Sequence, residues 1–363
     1  MNKKLIALAV AGACVAPAAM AQTANPVTLY GRIYATLESV EAKGGATPVA
    51  RRTRVSDQSS LLGVRGTEDL GGGLKAFFQL ETGFKPDQND TGFAQRNSGV
   101  GLQGGFGSIL LGRWDSPFKV ATIAVDPFGD LTLSGITGTL SDRTNFDRRP
   151  SNSVQYWSPS FGGFAARLLY TANERKNDPV GVNARDMGAN LTYTGGPVYA
   201  FLAYEEHKDN ASANAYGQVI LSPPATAQTA GIAGYTEKGF AGGGSFVIGP
   251  VKLGGQYQEF KKTLREKQKS VMANVVFTFG NNQLIYQFMN SKDGALSTAA
   301  AQPDCDSNSV GYQYNFSRRT FFLAQYTKVD NNDVANCNFG AVTLGIAAGQ
   351  DPQGVSVGIR HVF

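Results

Sequence analysis

From Val27 to Phe363, apolar and polar residues alternate with a period of two. Near the start, Leu29, Ile33, Ala35 and Leu37 share one parity, while Thr28, Tyr30, Arg32, Tyr34, Thr36 and Glu38 fill the other. The pattern returns in Ala76, Phe78 and Leu80 against Lys75, Gln79 and Glu81, and in Phe164, Ala166, Leu168 and Tyr170 against Ala165, Arg167 and Thr171. It recurs from Met187 to Thr194, from Val271 to Phe279 and from Val310 to Phe316. Successive side chains of a strand point to opposite faces, so these runs predict half-buried β-strands. No stretch carries a comparable helical period.

The connectors fall into two kinds. Seven are tight and rich in Gly, Pro, Asn or Ser: Glu68–Gly73, Gly104–Gly107, Ser158–Gly163, Gly195–Pro197, Ile248–Pro250, Gly280–Asn282 and Ser317–Arg319. The others are long and polar, among them Ser39–Asp57, Glu206–Ile232, Ser291–Asp306 and Val329–Gln353. Seven tight turns and eight long loops predict sixteen strands. Short turns at one end and long loops at the other are the layout of a transmembrane antiparallel barrel, with its apolar parity on lipid and its polar parity on water. A soluble sandwich would turn the apolar parity inward instead. Tyr170, Tyr193, Tyr204, Tyr257, Phe279, Tyr286, Phe316 and Tyr326 lie near segment ends, where aromatic girdles of a membrane barrel belong. The last strand places Val355, Val357, Ile359, His361 and Phe363 on one parity and stops on the aromatic.

Composition agrees. Glycine takes 44 of the 363 positions and charged residues only 17%, a balance that argues against disorder and against helical bundles. Mean hydropathy is −0.19, and beyond the N-terminus no stretch approaches the ~18 apolar residues of a membrane helix. The N-terminus reads as a secretory signal: Lys3 and Lys4, an apolar core from Leu5 to Ala16, and the cleavage site Ala19-Met20-Ala21. A membrane helix is excluded by Gly12 and Pro17, and Cys14 has a poor lipoprotein context. Residues 1–21 are thus the predicted signal peptide and residues 22–363 one barrel.

Removing Lys3 and Lys4 leaves a mildly basic chain, too mild for a nucleic-acid partner. The basic stretch Lys261–Lys269 reads as a solvated loop or a contact for an anionic partner at the cell surface. Cys305 and Cys337 remain after cleavage, and in an exported chain they are either one disulfide or two unpaired loop thiols. Neither has a His or second Cys nearby, so no metal site is expected, and no cofactor. The run Gly99-Val100-Gly101-Leu102-Gln103-Gly104 fits a dinucleotide pattern but leads into another strand, not a helix. His207, read as a loop residue, and His361 give no catalytic set, so no enzyme is expected. Asp330-Asn331-Asn332-Asp333 lacks the twelve-residue calcium pattern and reads as a solvated loop tip.

Several segments resemble the general diffusion porins of Gram-negative bacteria, in particular the β-proteobacterial type. They are Val27-Thr28-Leu29-Tyr30-Gly31, Gly66-Thr67-Glu68-Asp69-Leu70-Gly71 followed by Gly73-Leu74-Lys75-Ala76, and Leu111-Gly112-Arg113. Asn152-Ser153-Val154-Gln155-Tyr156, Ser158-Pro159, Phe161-Gly162-Gly163-Phe164 and the ending Val357-Gly358-Ile359-Arg360-His361-Val362-Phe363 also match. Each is weak alone, but they occur in order. The third quarter of the chain matches only in rhythm.

The resemblance implies a homotrimer of sixteen-stranded barrels in the outer membrane, among lipid and lipopolysaccharide, with the third long loop folded into each pore. It implies passive diffusion of small hydrophilic solutes and ions, and a terminal Phe363 read by the barrel-assembly machinery. Here the third loop runs from Asp115 to about Pro150 and carries Asp115, Asp126, Asp130, Asp142 and Asp147. Loop carboxylates facing wall arginines would set a transverse field, and Arg32, Arg54, Arg96 and Arg167 are the expected wall set. Arg96 shares its parity with Val100 and Leu102, so it needs a bulge to face water. Leu61 stands where the family often has an arginine, which weakens the expected anion selectivity; Arg51, Arg52 and Arg54 are possible substitutes from the loop side. Two other readings stay open: a substrate-selective channel, and a secreted all-β adhesin or carbohydrate-binding module.

Overall fold

The computed structural model describes residues 27–363 except 46, 89–91, 130–131, 141–145, 173–175, 210–232, 264–265 and 293–302. The predicted signal peptide lies outside the described residues, as do Asp130 and Asp142 of the third loop.

Seventeen antiparallel segments form one sheet: β1 (Thr28–Gly44), β2 (Val49–Asp57), β3 (Leu61–Gly71), β4 (Leu74–Gly83), β5 (Ser98–Gly104), β6 (Gly107–Arg113), β7 (Ser153–Trp157), β8 (Phe164–Thr171) and β9 (Arg185–Gly195), then β10 (Val198–Lys208), β11 (Thr236–Ile248), β12 (Val251–Lys262), β13 (Gln268–Phe279), β14 (Asn282–Lys292), β15 (Asp304–Asn315), β16 (Thr320–Asn331) and β17 (Gln350–Val362). β2 and β3 pair with the same flank of β1, opposite Ala35–Ala42 and Thr28–Arg32 respectively. They are one stave interrupted at Gln58–Ser60, where Asp57 accepts hydrogen bonds from the amides of Ser59 and Ser60, both 2.9 Å. β17 returns to β1 in register from Arg32↔Val362 to Gly44↔Gln350. The fold is therefore a closed antiparallel barrel of sixteen strands, without a free sheet edge.

All seven tight connectors predicted from the sequence join consecutive staves at one end. The first of the expected long loops is shorter than the sequence suggested. Ser39–Asp57 is mostly strand, because β1 continues to Gly44 and β2 starts at Val49. His207 likewise lies inside β10, not in a loop. Above an apolar band both faces of a stave can be polar, so alternation fades before the strand does.

The apolar parity faces outward. Leu29 is 61% exposed, Leu202 54%, Val310 50% and Ile359 55%, while Thr36, Gln155, Gln256, Gln287, Ser309 and Ser356 are buried on the other face. This is the reverse of a soluble sandwich, and so continuous an apolar exterior is stable only against lipid.

Closure depends on the chain's last residue. The amides and carbonyls of Gly31 and Phe363 exchange two hydrogen bonds of 3.0 Å. A Cβ at Gly31 would stand 2.6 Å from the Phe363 ring and 2.7 Å from the Leu61 carbonyl. Gly31 is needed for this close approach, and overpacking of such a site costs ~1–3 kcal/mol. Gly31→Ala is accordingly expected to lower the urea midpoint of the barrel refolded into lipid vesicles, and an unchanged midpoint would contradict the contact.

Candidate pore lumen

The inner face is polar because the second parity of every stave points there. Glu38 of β1 shows how the wall is built. It accepts from Arg54 Nε at 2.7 Å, Gln58 Nε2 at 2.8 Å, Thr36 Oγ1 at 3.0 Å and Ser56 Oγ at 3.1 Å. A buried carboxylate needs such partners to remain charged. Glu81 of β4 receives Arg96 Nε at 2.7 Å and the Tyr30 hydroxyl at 3.1 Å.

Each expected wall arginine is on this face or turned toward it. Arg32 donates to the Ser59 carbonyl at 2.7 Å and to the Ser59 hydroxyl at 2.6 Å. Arg54, in strand rather than loop, pairs with Glu38 and donates to the Val342 carbonyl at 2.5 Å. Arg96 has the bulge that its parity required. Register from Gln79↔Gly99 would oppose Glu81 with Asn97, yet the Arg96 amide donates to the Glu81 carbonyl at 3.0 Å. The Glu81 amide bonds instead to Ser98 Oγ at 3.0 Å. Arg167 lies over the Trp157 ring, 4.8 Å from its centroid. Leu61 is buried directly opposite Arg32. Arg51 pairs with Glu41 at 2.8 Å and is largely exposed.

The long connection between β6 and β7 contributes a short helix, Pro117–Ile123, capped by Ser116, whose hydroxyl accepts from the Lys119 amide at 3.2 Å. Phe118, Ala121, Val125, Ile136, Leu140 and Phe146 of this loop are buried against Phe201, Ala203, Ala241, Phe260, Met272 and Met289. The latter six sit on the inward parity of β10 to β14. Wall amides also hold the loop backbone. Asn190 Nδ2 donates to the Pro117 carbonyl at 2.6 Å, Asn274 Nδ2 to Val125 at 2.9 Å and Gln287 Nε2 to Ser134 at 3.0 Å.

The described loop carboxylates bond within the loop and, at Asp115, to the wall beside it. Asp115 pairs with Arg149 at 3.0 Å and accepts from Asn97 Nδ2 at 2.7 Å. Asp126 accepts from the Phe128 and Ile136 amides at 3.0 and 3.1 Å. Asp147 pairs with Lys119, both deeply buried.

Sequence reasoning missed several lumen residues. Arg148 pairs with Asp186 at 2.6 Å and with Glu205 at 3.4 Å. His207, buried in β10, bridges Glu205 at 2.8 Å and Glu237 at 3.2 Å beneath the Phe146 ring. Arg65 and Arg360 face inward over Tyr30 and Phe321, at 4.9 and 5.3 Å. Their parity would have revealed these two. A second loop also enters the arrangement. Cys305 and Cys337 are joined as a disulfide, with Cα atoms 6.3 Å apart, between β15 and the loop of residues 332–349. Phe339 and Leu344 of that loop pack on Val40, Ala42 and Leu133, and the Asn338 amide donates to the Gly138 carbonyl at 3.2 Å.

A family model described as Gram-negative porin matches residues 7–334. The chain is 32% identical to outer membrane porin protein 32 of Delftia acidovorans over the full length of both chains. It is 30% identical to the major outer membrane protein P.IB of Neisseria gonorrhoeae, covering 89% of this chain and 92% of that protein. Among solved structures, the anion-selective porin from Comamonas acidovorans superposes with a TM-score of 0.74 at 27% identity, covering 93% of this chain and all of that one. The trimer form of OmpT from Vibrio cholerae shares the fold, with a TM-score of 0.66 at 16% identity and coverage of 94% of this chain and all of that one. The sixteen-stranded barrel, its apolar exterior and these likenesses agree: the chain belongs to the Gram-negative porin family and forms a diffusion channel in the outer membrane.

Proposed function

We propose that this channel favours small hydrophilic anions. One observation carries the reading. The inward carboxylates Glu38, Glu81, Asp186, Glu205 and Glu237 each sit beside Arg54, Arg96, Arg148, His207 or Lys262. Arg65, Arg167 and Arg360 instead face the lumen over aromatic rings and form no ion pair among the described residues. Fixed cationic charge that no salt bridge neutralises raises the local concentration of anions. Guanidinium groups suit this because they stay charged and are weakly hydrated.

The passage narrows where the β6–β7 loop and the loop of residues 332–349 lean together on the inner wall. The selective field then comes mainly from the wall, since Asp115, Asp126 and Asp147 already hold hydrogen-bond or ion-pair partners. Asp130 and Asp142 remain proposed loop carboxylates. Export through cleavage after Ala21, use of Phe363 by the barrel-assembly machinery, and a homotrimer seated among lipid and lipopolysaccharide complete the reading. The trimer form of the OmpT relative and the resemblance of the two chain ends support it.

Proteoliposome uptake tests the charge preference. Acetate is expected to enter faster than ethanolammonium, a cation of similar size. Introducing Arg167→Glu together with Arg360→Glu should lower the uptake ratio by about twofold or more. Equal uptake of the two solutes in the unaltered channel would count against anion preference.

A further inference from the structure

Part of the inner wall carries aromatic surface that the passage of water and small ions does not need. Phe77 of β4 and Trp157 of β7 lie on the inward parity, their rings stacked 6.4 Å apart. Trp114, just beyond β6, stands 5.4 Å from Trp157. Arg167 completes the group at 4.8 Å from the Trp157 ring. Trp157 Nε1 is occupied in a hydrogen bond of 3.0 Å to Gln155, which fixes the indole beside Arg167.

Trp157 and Arg167 of this group border a cavity of ≈ 550 Å³ near the tight-turn end, lined also by Gln103, Val120, Ala124 and Tyr199 among others. Val120 and Ala124 are four residues apart and so share one face of the helical turn. They form an apolar side opposite the cationic and aromatic wall. The Tyr199 hydroxyl leans on the Ala121 carbonyl at 3.4 Å and holds the helix over the cavity.

We propose that this cavity is a transit site for small aromatic carboxylates. The carboxylate takes Arg167, which has no ion-pair partner among the described residues, and the planar ring lies between Trp157 and the apolar helix face. A charge-assisted hydrogen bond to guanidinium supplies one part of the recognition. Ring contact supplies the other, since aromatic pairs gain beyond the area they bury. Chloride offers only the first and a neutral aromatic only the second. The inference deepens the anion reading above by naming a solute class, and it is tested at equilibrium, without any measurement of selectivity.

The chain has only two tryptophans, and both belong to this group, so intrinsic fluorescence reports on the site. The folded, detergent-solubilised protein is titrated with benzoate, benzyl alcohol and acetate. Benzoate should give a saturable change, with half-saturation about tenfold lower than for either of the other two. Arg167→Gln should raise the benzoate half-saturation by about tenfold. Ala165→Phe, which fills the cavity and leaves Arg167 in place, should abolish saturation. A linear change with benzoate overturns the proposal, as does equal half-saturation for acetate, which marks a simple anion site, or for benzyl alcohol, which marks an apolar crevice. An unaltered benzoate curve in either folded variant also overturns it. Uptake that favours acetate over ethanolammonium while benzoate fails to saturate would leave the anion preference standing and remove this site alone.

Discussion

Arg148→Met is expected to release the C-terminal end of the β6–β7 loop from the wall. Arg148 ties that loop to Asp186 of β9 and Glu205 of β10, and both carboxylates are almost wholly buried. Burial works against the guanidinium's charge, but the two carboxylates more than offset it and hold its pKa above the ordinary value. Methionine keeps the aliphatic stem but removes the cation that both carboxylates face, leaving Glu205 with His207. Breaking a buried pair from one side costs ~3–5 kcal/mol. Single-channel recordings should show larger current fluctuations and a higher mean conductance than the unaltered channel. Adding Asp186→Asn and Glu205→Gln to the same chain should restore much of the quiet behaviour, because the buried negative charges that faced Arg148 are then gone. Quiet, unaltered openings in Arg148→Met would show that the loop is held elsewhere.

The paired change Cys305→Ser and Cys337→Ser should have the second largest effect. The disulfide spans 32 residues, and loop closure of that length contributes about 3–4 kcal/mol in the chain-entropy account. It anchors the loop of residues 332–349, whose inner end meets the β6–β7 loop backbone to backbone. A Cβ at Gly340 would lie 2.6 Å from the Gly135 carbonyl, so that approach leaves no room for a side chain. Thr137 Oγ1 also donates to the Gly340 carbonyl, and Arg54 bonds to Val342. Without the disulfide the strap is held only by noncovalent contacts, these and the packing of Phe339 and Leu344 among them. No residue within 332–349 is Lys or Arg, so trypsin cannot report on the loop and chymotrypsin at Phe339 is the probe. Faster cleavage at Phe339 in the double variant is expected, and equal rates would show that the strap is held without the bond. In the unaltered protein, alkylation before reduction should add no mass, and two added alkyl groups would refute the disulfide.

The staves and turns were legible because a stave between lipid and water must alternate, and the tight turns carry Gly, Asn and Pro where the chain reverses. Strand ends were less legible. Glu41, Arg51 and Arg54 look like loop residues, yet they stand on β1 and β2, which run on where the alternation fades. Arg96 was legible in an indirect way: its parity was wrong for water, and the displaced hydrogen bond at Glu81 is the bulge that corrects it. The loop aspartates were visible as residue types, but their partners were not. Asp147 meets Lys119 and Asp115 meets Arg149 only after the loop has folded. The contact between Thr137 and Gly340 joins two loops 203 residues apart, a separation at which no local pattern carries information. Phe77 and Trp157 were available to the same parity count that identified the wall, and they mark where the polar face departs from polarity.

The most direct test is a planar-bilayer recording of the purified protein under a tenfold gradient of potassium chloride. The account predicts stepwise conductance increments and a zero-current potential whose sign shows chloride crossing more readily than potassium. Absence of steps, or a potential of the opposite sign, would contradict an anion-favouring channel with Arg65, Arg167 and Arg360 turned to the lumen over aromatic rings.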